Sequence, residues 1–116
     1  MIAEIGEQID ALSELCRKYC VRRLEVFGSA ADGTFDPARS DIDFLVEYFP
    51  LKSGEAYEAY FGLVESLEKL FGRRVDLVDV ECLSNPYFIR RVNESRSVVY
   101  ETESASARVD ALVGSA

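Results

Sequence analysis

The sequence predicts a small α/β (α+β) domain: a mixed, twisted sheet with helices packed mainly on one face. Three observations predict it. Short apolar runs at 21–27, 41–48 and 75–80 read as strands, and turn-forming residues bound them. Longer stretches at 2–20, 57–71 and 87–95 repeat apolar residues at helical spacing. The two kinds alternate along the chain, as they do where helices are laid over a sheet.

Ile2, Ile5, Ile9, Leu12, Leu15, Cys16 and Tyr19 share one face of an amphipathic helix over residues 2–20. Arg17, Lys18, Arg22 and Arg23 cluster near its end, where the helix dipole favours cations. The first strand follows at 21–27. Residues 29–33 form one short helical turn, and 34–39 a loop marked by Asp36-Pro37. The second strand runs over 41–48. After a turn at 50–54, with Ser53 as the expected N-cap, Tyr57, Tyr60, Phe61, Val64, Leu67 and Phe71 form the apolar face of a helix. This aromatic stripe reads first as core and second as part of a partner surface. Gly72 stands where a C-terminal cap would. The third strand is 75–80. Asn85-Pro86 starts the next helix, with Phe88, Ile89 and Val92 inward and Arg90, Arg91 and Arg96 on a solvated side. Val98-Val99-Tyr100 is a short last strand. One domain over 1–100 and a weakly specified tail over 101–116, with Val109, Leu112 and Val113 at helical spacing, complete the chain.

The chemistry gathers between Val26 and Glu47. Gly28-Ser29 ends the first strand, and Asp41-Ile42-Asp43 opens the second. Alternation along a strand puts Asp41 and Asp43 on one face, about 6.5 Å apart, so both carboxylates can converge on one cation or on a pair about 4 Å apart. Mg²⁺ suits such a site, because it takes few protein carboxylates and fills its shell with phosphate oxygen and water. Gly28 lets backbone approach an anion, and Ser29 brings a hydroxyl. Glu47 lies about 13 Å from Asp43 at strand rise and falls outside the site. Asp76 and Asp79 face opposite sides of the third strand, so one of them can join; spacing alone leaves both open.

Composition bounds the function. With 116 residues and 48% apolar content the chain suits a single folded core. A formal charge of −8 argues against stable binding to long nucleic acids, which draw affinity from Lys and Arg. Three cysteines without histidine disfavour a structural zinc site and fit reduced thiols. The acidic N-terminus lacks a signal-peptide pattern, and no apolar run approaches a membrane span, so a cytoplasmic protein is expected.

Gly28-Ser29, eleven residues, then Asp41-Ile42-Asp43 resembles the signature of the polymerase-β-like nucleotidyltransferase superfamily. The short chain and the run Ser-Asp-Ile-Asp-Phe-Leu-Val-Glu are similar to its minimal nucleotidyltransferases, from about Val21 to Tyr100. The resemblance implies that family's fold and nucleotidyl transfer from ATP. Gly28 and Ser29 would bind phosphates, and Asp41, Asp43 and Asp76 would hold two Mg²⁺ ions. It favours Asp76, in Arg-Val-Asp-Leu-Val, as the third carboxylate and general base. It further implies a HEPN-type ribonuclease toxin as partner, tyrosine adenylylation, and an antitoxin role in a homo- or hetero-oligomer. A binding-only antitoxin and an aminoglycoside-type transferase are the alternatives. One departure stands out: the family often has a basic residue before the next Gly, where this chain has Ala31-Asp32-Gly33. Arg39 would offset Asp32 at the nucleotide.

Overall fold

The computed structural model describes residues 1–103. Its centre is β1 (Val21–Phe27), whose Leu24 and Val26 are fully buried. β2 (Ile42–Tyr48) and β4 (Ser97–Glu101) pair antiparallel on either side of it. β3 (Val75–Asp79) adds parallel to β2, so the strand order is β3-β2-β1-β4 and the sheet is mixed. β4 ends at Glu101, one residue into the expected tail; residues 104–116, with Val109, Leu112 and Val113, lie outside the described residues.

Alternation sorts the side chains into two layers. Ile42, Phe44 and Val46 join Leu24, Val26 and Leu77 on one face, under the helices α1 (Ala3–Glu7), α2 (Ile9–Lys18) and α4 (Glu55–Phe71). Phe27 and Leu45 turn to the other face, where Phe88 and Val92 of α5 (Pro86–Ser95) and Val80 of the 3₁₀ turn Val80–Cys82 cover them. A four-residue α3 (Ser29–Asp32) follows β1. No helix among the described residues is long and apolar enough to cross a membrane.

Three local expectations change. The helix expected over 2–20 breaks at Gln8 (φ −108°, ψ 18°), which turns Ile9 outward at 37% exposure. Tertiary bonds fix α1 separately: the Met1 ammonium donates to the Ala31 carbonyl and the Ile2 amide to Ala30. At the start of α4 the N-cap is Gly54 (φ 90°), not Ser53; the Glu55 carboxylate instead accepts from the Lys52 amide at 2.8 Å. The inward face of α4 is Ala59, Leu63, Leu67 and Phe71, and it leaves Tyr57 70% and Phe61 52% exposed. Small residues set that face: a Cβ on Gly62 would stand 2.5 Å from the Tyr19 ring, so α4 packs too closely to turn its aromatics in. Gly72 does take the left-handed conformation that ends α4.

Candidate active site

The end of β1 and the starts of β2 and β3 meet at one edge of the molecule. Phe27 pairs with Asp43, and Asp43 pairs with Asp76 across the parallel ladder. Residues in register share a face, so both carboxylates project beside the Gly28 bend. Burial pushes the Asp43 carboxyl up to about 6, the neighbouring Asp76 carboxyl and then Asp41 push the same way, and Arg91 opposes them. Two acids forced together this way take up a proton or a cation to relieve repulsion. Asp43 and Asp76 therefore offer the hard oxygen pair that a divalent cation takes.

Gly28 is required at its position. Its backbone lies at φ 69°, ψ −147°, and a Cβ there would stand 2.7 Å from Asp43 Oδ2. Its amide donates to Ser95 Oγ at 2.8 Å, so the bend is tied to α5 and that N–H is already engaged. Its carbonyl accepts from the Ala31 and Asp32 amides, which shapes α3.

A cleft of about 490 Å³ opens at this point. Gly28, Asp43 and Asp76 line one part of it; Tyr60, Phe61 and Val64 of α4 and Phe88 and Arg91 of α5 form the walls. The Tyr60 hydroxyl donates to the Leu77 carbonyl, and the Glu68 carboxylate accepts from the Val75 amide at 3.2 Å. Two side chains of α4 thereby satisfy the open edge of β3 where it borders the cleft.

Of the residues singled out from sequence, Gly28, Asp43 and Asp76 come together here. Asp41 stands just before β2 and reaches the group through its effect on Asp43. Among the described residues, no three Asp, Glu or Cys side chains form a ready metal cluster. Ser29 and Arg39 are not among the cleft-lining residues; Arg39 is exposed in a turn where its amide donates to Asp36. Asp79 instead caps the 3₁₀ turn, accepting from the Glu81 amide. Asp32, the acidic departure, is engaged by the Thr34 amide and hydroxyl, which hold its carboxyl below the ordinary range. Arg91 was read from sequence as solvated. It lies three residues after the inward Phe88 and lines the cleft beside it; the spacing marks a shared helix face but not which cleft that face borders.

Comparison with known proteins bears on the family and the fold. The family model for a nucleotidyltransferase domain matches residues 9–103. A Methanocaldococcus jannaschii protein, assigned as a protein adenylyltransferase, is 38% identical over 94 residues, covering 80% of this chain and 92% of that protein. A second from the same organism, with the same assignment, is 36% identical over 80 residues, 69% of this chain and 78% of that protein. A solved structure assigned as a minimal nucleotidyltransferase is 30% identical with a TM-score of 0.64, covering 79% of this chain and 89% of that one. A Shewanella oneidensis complex, a tri-AMPylated HEPN toxin with an MNT antitoxin, shares the fold at 18% identity and a TM-score of 0.60, covering 95% of this chain and 87% of that one.

Proposed function

This chain belongs to the nucleotidyltransferase domain family, and from that premise we propose that it transfers AMP from ATP to a tyrosine hydroxyl of a HEPN-type toxin and so acts as its antitoxin. The observation that carries the reading is the in-register Asp43–Asp76 pair beside Gly28. The catalytic unit is the stretch through β4.

In this reading Asp43 and Asp76, joined by Asp41, would hold Mg²⁺. When bound, the metal stabilises charge on the attacking and leaving oxygens. Gly28 leaves room for the Asp43 carboxylate at the bend, with Ser29 next to it for the phosphates. Arg91, and Arg39 from its loop, would offset triphosphate charge. Asp76 is exposed, and it accepts the proton of the acceptor hydroxyl. The acceptor oxygen forms a bond to the α-phosphorus, the bond to the bridging oxygen breaks, and pyrophosphate leaves. The apolar walls of the cleft reduce water's access to the same phosphorus. The relatives support a protein acceptor: one shared-fold complex contains an AMPylated HEPN toxin, and the two Methanocaldococcus jannaschii relatives are assigned as protein adenylyltransferases.

The test mixes the chain with Mg²⁺, radiolabelled ATP and the product of the neighbouring gene. Label should appear on that product and fall by about 100-fold or more with Asp43→Asn or Asp76→Asn. Unlabelled variants that neutralise the partner fully would point instead to binding alone.

A further inference from the structure

The exposed aromatics of α4 have no role in the fold described above. Tyr57 and Phe61 lie one turn apart with ring centroids 4.6 Å from each other, and Phe61 meets the Tyr60 ring edge-on at 5.1 Å. Both are more than half exposed. Phe61 lines the cleft that holds Asp43 and Asp76; Tyr57 extends the ridge away from it. Large exposed apolar groups set together mark contact surfaces.

The surroundings are acidic. Glu58 is exposed next to Tyr57 on the same helix. Ala56, in the first turn of α4, lines one hollow with Asp79 and Glu81, so the acidic 3₁₀ turn stands on the other side of the ridge. The only cation within α4 is Lys69, at its far end and paired to Glu65 at 3.3 Å. Aromatic faces flanked by carboxylates suit arginine and lysine, which gain from both, and the cations stand at the margins: Arg91 lines the cleft with Phe61, and Lys18 lines the hollow with Glu58. The same charge disfavours the other occupants. A second copy would set like carboxylates against each other, and anionic lipid or nucleic acid would be repelled by a chain of net charge −8.

We infer that the Tyr57–Phe61 ridge seats a basic, arginine- or lysine-bearing segment of the protein acceptor, whose neighbouring hydroxyl enters the cleft. The inference rests on the transferase reading and names the chemistry of its acceptor. Phe61 belongs to both surfaces, so a segment lying on Tyr57 is about one helical turn from a residue that lines the cleft of the carboxylates.

The experiment uses the full chain and a short fluorescein-labelled peptide with arginines around one tyrosine, beside a counterpart with glutamates for arginines. Anisotropy should show binding of the basic peptide alone, weakened by added salt. Tyr57→Ala and Glu58→Lys should each weaken it about three- to fivefold, and Tyr57→Phe should restore it. Both positions are exposed, so an unchanged thermal midpoint separates lost contact from lost fold. Equal binding of the two peptides, no binding of the basic one, or variants that bind like the parent would overturn the inference. So would a dimer that Tyr57→Ala converts to monomer in sedimentation, because the ridge would then be a self-association face. ATP binding measured in parallel should be the same for Tyr57→Ala and the parent. A parent chain that binds the peptide but no ATP overturns the transferase reading and with it the acceptor, a failure read apart from the others.

Discussion

At Gly28 and Asp43 two residues from different strands constrain each other. Any side chain at Gly28 meets Asp43 Oδ2 and a positive φ together. Gly28→Ala should therefore cost about 1–3 kcal/mol and displace the carboxylate; a thermal melt and the transfer assay check both. Asp43 also makes stability depend on pH. Its carboxyl sits near 6 when folded, against an ordinary value of 3.8. The folded state keeps a proton that the unfolded chain releases, so this contribution is full below the ordinary value and is lost as pH rises through about 6. In chelator, the protein should melt higher at pH 5 than at pH 7, by about 1 kcal/mol from this half-exposed group after screening, and Asp43→Asn should remove that part of the difference. Gly28 and Asp43 were readable as candidates from spacing alone. Arg91 was not, because periodicity marks a helix face and cannot tell which cleft that face borders.

α5 shows how an element serves a site without supplying its acids. Ser95 Oγ holds the Gly28 amide, and Arg96, just beyond the helix, donates through Nε at 2.9 Å to Glu25, which is only 4% exposed. Arg23 Nε is 3.9 Å from the same carboxylate, too far to replace that bond. Arg96→Met should leave a buried carboxylate short of its main partner and cost about 3 kcal/mol, measured by urea unfolding. Sequence reading placed Arg96 in solvent, since nothing local shows that its partner is 71 residues away. α4 makes a similar point. Its helical spacing and its end at Gly72 were legible, but the choice between Tyr57–Phe61 and Ala59–Leu63 as the inward side depended on how closely Tyr19 and the sheet approach.

In the whole molecule, the site depends on the register of a parallel strand pair. α4 connects β2 to β3 and packs Leu63 and Leu67 on the sheet face opposite the carboxylates. The layer that stabilises the fold thus also holds Asp43 level with Asp76. Leu67→Ala should cost about 2–5 kcal/mol in chemical denaturation.

The sequence by itself determined the alternation of strands and helices and a glycine-serine bend answered by Asp-x-Asp. Each of these is encoded within a few residues by side-chain period and turn chemistry. Only the tertiary structure decided that Asp76 rather than Asp79 meets Asp43, that Asp41 stands slightly apart, that Arg91 faces the acids and that the α4 aromatics face solvent. Those outcomes depend on pairing register and on the distance between packed layers, which join residues far apart in the chain and leave no local trace in it.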